Sequence, residues 1–335
     1  MAIQWYPAGG GLRMNAQTIG SIQFYDNQPK AVDFYAEVIS GLQREPKTIP
    51  PKFFYDEIGS RLFDAICELP EYYPTRTEMA LLTRHADEIA NLIGKECLLI
   101  EPGSGSSQKV RMLLEALQPA AYMPMDISRN YLLQAAQQLA ADYPWLEVHA
   151  TCIDFTTELT LHFCPPHAHR VAFFPGSSIG NFEPVDAIGF LHNIANMVGV
   201  GGGLLIGVDL KKEESILNAA YNDAQGITAE FNLNLLSRIN HELGGDFDIE
   251  AFQHEAFYNS EAGRIEMHLT SCLPQTVTVG DESISITEQE SIHTENSYKY
   301  SVEEFSSLAG LAGFDLINVW IDEDNLFSLH YYQIA

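Results

Sequence analysis

The segment Glu101-Pro102-Gly103-Ser104-Gly105-Ser106-Ser107 follows the apolar run Leu98-Leu99-Ile100 and leads into Val110, Leu113, Leu114 and Leu117 at helical spacing. That order describes a buried strand handing a glycine turn to a helix N-terminus, where a ligand can approach bare backbone. A dinucleotide fingerprint, Gly-x-Gly-x-x-Gly, needs a third glycine, and Gln108 holds its place. The mismatch turns the reading from NAD toward S-adenosylmethionine (SAM), which has no pyrophosphate to cradle. Glu101, Gly103, Ser104 and Gly105 are therefore the first cofactor candidates. Asp126 and Asp154 stand at or near the ends of two further strand-like runs, on the side where parallel sheets bind ligands. Asp126 is placed to accept hydrogen bonds from both ribose hydroxyls. Asp154-Phe155 offers a polar group for an adenine amine and a ring for stacking. One such aspartate reads as a loop cap; two in register with a glycine turn read as a cofactor site.

The elements that must carry these residues follow from periodicity. Strands are expected over 97–102, 120–126, 147–154, 170–175 and 202–209, with helical patterns between most of them, one capped by Ser128 and carrying Leu132, Leu133, Ala136 and Leu139. Alternation of this kind implies a parallel sheet with crossover helices. Residues 213–243 then read as helical, and 251–258, 264–273 and 275–287 as antiparallel strands. A capping box, Ser301-x-x-Glu304, opens a last helix, and strands over 314–321 and 327–334 close the chain. The sum is an α/β protein with a class I (Rossmann-like) SAM methyltransferase sheet and an inserted helical and antiparallel-strand substrate-binding domain. The expected organisation is an irregular arm (1–30), a helical region contributing to the substrate site (31–95), the SAM-binding domain (96–212 and 300–335) and the insertion (213–299).

A chain of 335 residues is long enough for a full α/β core. Its 46% hydrophobic and 19% charged content is that of a globular protein. A net charge of −27 argues against nucleic acid, whose phosphates demand clustered Lys and Arg. Five scattered cysteines without a C-x-x-C suggest reduced thiols and a cytoplasmic setting. No signal peptide or membrane span is read, and a monomer is expected. The segment His162-Phe163-Cys164-Pro165-Pro166-His167-Ala168-His169 holds metal-ligand residue types, but its prolines and spacing match no closed zinc pattern, and no metal is expected.

Four dispersed segments resemble one family: Phe54-Tyr55-Asp56-Glu57-Ile58-Gly59-Ser60, Leu69-Pro70-Glu71-Tyr72-Tyr73-Pro74-Thr75-Arg76-Thr77-Glu78, Gly176-Ser177-Ser178-Ile179-Gly180-Asn181 and Arg264-Ile265-Glu266-Met267. In order and over about residues 45–335, they look like the SAM-dependent histidine Nα-methyltransferases of ergothioneine biosynthesis. Residues 1–20 carry none of the resemblance. The resemblance implies that Gly103 and Lys109 belong to the cofactor loop, and that Asp126 and Asp154-Phe155 meet ribose and adenine. It implies histidine-binding roles for Tyr72, Gly176, Asn181, Tyr221 and Met267, recognition of imidazole by Glu295 and Ser297, and a place near the amino group for Tyr55. With Tyr72, Tyr55 is the expected catalytic pair. Pro102 within the cofactor motif and Pro175 before Gly176 depart from the family pattern without removing an expected contact.

The chemistry agrees with these side chains. In-line methyl transfer to an amine requires the neutral amine and mainly alignment, with no metal or covalent nucleophile. Asn181 and Tyr221 can donate to a carboxylate; Glu295 can accept a ring N–H, and Ser297 can meet the other ring nitrogen. The reaction that the resemblance implies, and with which this chemistry agrees, is trimethylation of L-histidine to hercynine. Rival readings are an N-methyltransferase for another aromatic amino acid and a non-enzymatic SAM-binding sensor. Taken singly, Tyr55, Tyr72, Tyr221 and Met267 would read as packing residues, and Glu295 and Ser297 as a solvated loop.

Overall fold

The computed structural model describes residues 16–27, 34–155, 161 and 163–335. In chain order its strands and α-helices are β1 (Ala16–Ile19), β2 (Ile22–Asp26), α1 (Phe34–Leu42), β3 (Lys47–Thr48), α2 (Glu57–Cys67), α3 (Tyr73–Ile93), β4 (Leu98–Pro102), α4 (Arg111–Leu117), β5 (Ala121–Asp126), α5 (Arg129–Asp142), β6 (Val148–Cys152), β7 (Arg170–Phe174), α6 (Pro184–Val198), β8 (Gly203–Asp209), α7 (Glu214–Tyr221), α8 (Ile227–Leu243), β9 (Phe252–Asn259), β10 (Arg264–Ser271), β11 (Gln275–Val279), β12 (Glu282–Ile286), β13 (Ser291–Tyr298), α9 (Val302–Leu311), β14 (Phe314–Ile321) and β15 (Phe327–Ile334).

The large sheet runs β1-β2-β6-β5-β4-β7-β8-β15-β14. From β4 the chain steps outward through β5 and β6, then returns to β7 and β8 on the other side, with all these pairs parallel. The order reverses between β4 and β7, and such a reversal opens a crevice beyond the strand C-termini. β15 inserts antiparallel between β8 and β14. All five residues of β4 are buried, as a central parallel strand requires. Leu99 joins α3, α4 and α5 side chains on one face, while Leu98 and Ile100 join α6 and α9 on the other. A second core gathers α1, α2, α7 and α8 against the four-stranded sheet β3-β13-β10-β9 and the β11–β12 hairpin. The two sheets meet where β8 ends: Leu210 bridges Tyr300, and the Tyr300 N–H donates to the Asp209 carbonyl at 3.2 Å.

Local signals explain some termini. Asp56 caps α2 by accepting the Gly59 N–H at 2.7 Å, and the Ser301–Glu304 capping box opens α9 as the sequence implies. Several expectations change. Residues 16–26, read as part of an irregular arm, form the β1–β2 hairpin, and β2 extends the large sheet beside β6. Residues 1–15 and 28–30 of that arm lie outside the described residues, as does His162 of the histidine-rich segment. Ser128 stands at the α5 N-cap, but its side chain makes no cap bond; its backbone N–H donates to Asp126 instead, at 2.8 Å. The helical run 213–243 breaks into α7 and α8 because Asp223 accepts the Ile227 and Thr228 N–H groups at 2.9 and 2.8 Å, starting a new helix. The run 275–287 is a hairpin, β11 and β12, and the segment holding Glu295 and Ser297 is a strand, β13, rather than a loop.

Candidate active site

The cofactor half of the site lies at the ends of β4, β5 and β6. Gly103 has φ +66°, and a Cβ there would sit 3.1 Å from the Phe155 ring, so both the turn and the close ring approach require glycine. Asp126 accepts the Gly105 N–H at 3.1 Å as well as that of Ser128, which ties the glycine turn to the end of β5. Burial pushes the Asp126 carboxyl up, and these backbone donors pull it back. Asp154 follows β6, and Phe155 packs edge-on against Phe174 and Phe190. Ser104 is buried, and its hydroxyl has no hydrogen-bond partner.

Glu101 is placed differently from the expectation. Its side chain is buried beneath the turn and accepts the Tyr122 hydroxyl, so it supports the loop instead of facing a ligand. Burial lifts its carboxyl to about 8 against the opposing pull of Tyr122 and Lys109. Lys109 pairs with Glu78 at 2.6 Å.

The acceptor half is a cleft lined by Tyr55, Phe63, Tyr72, Gly176, Asn181, Tyr221, Glu295 and Ser297, with Asp209 and Lys299 at its floor. Seven of the residues singled out from the sequence thus converge, from five separate stretches of chain. Met267 is buried in the second core and pairs with Glu295 across the β10–β13 ladder, so it stands beside Glu295 on the same face of the sheet without lining the cleft itself. Gly180 lets Asn181 approach β13, because a Cβ there would lie 2.7 Å from the Tyr298 carbonyl oxygen. The ring of Tyr72 meets Tyr221 edge-on at 6.2 Å and Phe63 at 6.3 Å, and Tyr55 meets Phe63 at 5.7 Å. Burial raises the Tyr55 and Tyr72 phenols well above their usual range, with Glu295 adding to the first and Tyr221 to the second. Both are therefore neutral hydroxyls at physiological pH, unsuited to act as phenolate bases. Burial also lifts Glu295 to about 7, partly opposed by Lys299.

Sequence reasoning missed three charged residues here. Glu78 is fully buried and accepts the Gly176 N–H through both carboxylate oxygens at 2.9 Å. Asp209 ends β8 and holds Lys299 at 2.7 Å, Lys212, and the Tyr73 hydroxyl at 2.7 and 2.8 Å. Burial would raise Asp209, but the two ammonium groups pull it below the ordinary range. Glu78 sits inside a motif already singled out; for Asp209 and Lys299 the available hint is a charge at the end of an apolar strand and another beside Ser297.

A separate polar cluster lies on the antiparallel sheet. Glu266, His268 and His293 bring possible ligand atoms within 4.8 Å of one another. Glu266 is already bonded to Arg264 at 2.9 Å and Asn259 at 3.0 Å, and the two imidazoles stack at 4.7 Å rather than converge. The cluster reads as a sheet-surface network.

These features fit SAM: an orphaned buried hydroxyl at Ser104, a glycine cradle against Phe155, and a strand-end carboxylate at Asp126. The strand order β6-β5-β4-β7-β8-β15-β14, with its single antiparallel insertion and this glycine turn, defines a class I methyltransferase. A sequence profile of the SAM-dependent, histidine-specific methyltransferases matches residues 34–334, and the chain belongs to that family. It is 41% identical over 299 residues to a histidine N-alpha-methyltransferase of Mycobacterium tuberculosis, covering 88% of this chain and 92% of the relative. It is 34% identical to ergothioneine biosynthesis protein 1 of Neurospora crassa, over 85% of this chain but 33% of that longer protein. A 4-dimethylallyltryptophan N-methyltransferase of Arthroderma benhamiae is 28% identical, over 90% of this chain and 92% of the relative.

Proposed function

We propose that this chain methylates the α-amino group of L-histidine up to three times, giving hercynine for ergothioneine biosynthesis. The observation that carries the reading is the end wall of the cleft. Glu295 and Ser297 lie two residues apart on β13, and both line the cleft that Tyr55, Tyr72, Asn181 and Tyr221 enclose. An acceptor and a hydroxyl side by side match a ring with two nitrogens. An indole offers one donor and would leave the second group unpaired, and sites built on such pairs reject the wrong ring by up to ~10⁴-fold.

SAM supplies an electrophilic methyl group on its sulfonium when bound. Gly103, Ser104, Gly105, Asp126, Asp154 and Phe155 would hold it, with Glu101 and Lys109 supporting the loop from below. Asn181 and the Gly176 segment hold the amino-acid end of the acceptor; Tyr55 and Tyr72, as neutral hydroxyls, orient its amine without locking it in an ion pair. Their rings and that of Phe63 also line the cleft, and an aromatic face suits a growing alkylammonium. Orientation of a neutral amine is the main demand of the displacement.

Five cysteines without a disulfide support a cytoplasmic setting, and the acceptor site is complete within one chain, which agrees with a monomer. Among the described residues no helix is long and apolar enough to cross a membrane. Mass spectrometry of L-histidine incubated with enzyme and SAM tests the proposal. Products carrying one, two and three added methyl groups are expected. Methylated tryptophan or tyrosine with no histidine product would overturn it.

A further inference from the structure

The proton arrangement at the floor of the cleft specifies more than a residue list. Lys299 is 2% exposed, and its Nζ lies 2.7 Å from Asp209 Oδ2, 2.8 Å from Ser297 Oγ and 3.2 Å from the Tyr221 hydroxyl. An ammonium has three N–H donors, and these three partners use them all. Lys299 thus has no donor left for a substrate carboxylate, although its charge stands at the cleft. Ser297 Oγ accepts from Lys299 and also from the Tyr221 hydroxyl at 2.9 Å. A hydroxyl oxygen has two acceptor sites, so both are filled and its own proton is left to point elsewhere. Ser297 lines the cleft, and the cleft is where that proton is available.

We propose that Lys299 is a positioning residue that holds Ser297 as an obligate donor toward the substrate ring, so that the site selects neutral imidazole with its lone pair facing Ser297 and its N–H facing Glu295. The inference rests on the histidine reading above and adds the protonation state and the residue that enforces it. An imidazolium carries two N–H groups and would set one against the Ser297 proton. A neutral ring turned the other way would set its lone pair against the Glu295 carboxylate and its N–H against Ser297. Asp209 anchors the device: with Tyr73 and Lys212 on the same carboxylate, it holds Lys299 from below.

Two measurements test this. In the first, wild-type protein is saturated with S-adenosylhomocysteine and ring-¹⁵N-labelled L-histidine at pH 8, above the value of about 7 to which burial lifts Glu295, and the ring nitrogens are observed by NMR. One protonated and one unprotonated nitrogen are expected in the bound ring. A bound imidazolium would overturn the proposal, whereas failure of histidine to bind at any pH would overturn the histidine reading itself. In the second, kcat/KM is compared for L-histidine and L-3-(2-thienyl)alanine, whose ring has no nitrogen. Lys299→Met should lower the preference for histidine ~10- to 100-fold, the range of one misdirected buried hydrogen bond, with the loss carried by the KM for histidine. Adding Ser297→Ala to Lys299→Met should cost little more, because both act through one donor. An unchanged preference, or two losses that add in full, would overturn the role of Lys299. If Lys299→Met does not fold, as judged by SAM binding in calorimetry, Lys299→Met with Asp209→Asn removes both charges together, leaves no donor to Ser297 at that position, and carries the same expectation.

Discussion

Glu78 and Lys109 form a 2.6 Å ion pair that ties the acceptor side of the cleft to the cofactor side. The carboxylate comes from α3, is fully buried, and also receives the Gly176 N–H on the loop after β7. The ammonium comes from the turn that leads from the cofactor loop into α4. One carboxylate therefore sets the distance between the segment holding the methyl donor and the segment holding the acceptor. Breaking a buried pair from one side costs ~3–5 kcal/mol, toward the low end here because Lys109 keeps some contact with water. Glu78→Ala should lower stability by that order and weaken SAM and histidine binding together; thermal unfolding and calorimetry read both. Loss of histidine affinity alone would show that Glu78 does not span the two halves.

Glu295 makes a narrower prediction. Its carboxylate faces the cleft from β13, with Lys299 four residues further along the chain and Tyr55 lining the same cleft. Glu295→Ala removes the acceptor for a ring N–H while leaving the cofactor loop untouched. The KM for histidine should rise ~10- to 100-fold, with SAM affinity retained, and the preference for histidine over tryptophan should shrink. Steady-state kinetics with both amino acids decides it; unchanged selectivity would remove Glu295 from the recognition wall.

What the sequence reveals of this site depends on how local each signal is. The Glu101–Ser107 turn was legible because strand, glycines and helix follow one another without interruption. β13 was not: in Ser291–Tyr298 the buried positions include Thr294, Glu295, Ser297 and Tyr298, so polar residues facing a cleft erase the alternation that marks a strand. Resemblance identified Glu295 and Ser297 where periodicity could not. Glu78 reads on a helix as an ordinary surface charge, and its partner at Gly176 is 98 residues away. Lys299 is equally silent, since the carboxylate it needs arrives at the end of β8. The β1–β2 hairpin is short and joined to a strand more than a hundred residues on, so the alternation of Ile22 and Phe24 is too brief to announce a sheet edge.

Tyr55 and Tyr72 test the orientation of the amine. Because burial keeps both phenols protonated, removing the hydroxyls costs hydrogen bonds and not a base. The double variant Tyr55→Phe, Tyr72→Phe should slow methyl transfer ~10- to 100-fold in single-turnover experiments, the range of one or two lost hydrogen bonds. The aromatic enclosure itself persists, so histidine binding should fall less than the rate. Wild-type transfer rates in the double variant would exclude both hydroxyls from the reaction.

Glu101 links the cofactor loop to pH. Its carboxyl is lifted to about 8 in the folded protein, first by burial, against an ordinary value of 4.5. The folded state therefore keeps a proton that the unfolded chain releases once pH exceeds the ordinary value. Between those two values the folded state binds more protons, so this group's contribution to stability falls as pH rises and is lost on passing about 8. Glu101→Gln keeps the shape and an acceptor for Tyr122 but removes the titration. Unfolding midpoints measured from pH 5 to pH 9 should decline less steeply in the variant than in the wild type, and the two curves should separate most at the alkaline end. Parallel curves would show that Glu101 is ionised beneath the loop throughout, with Lys109 and Tyr122 outweighing its burial.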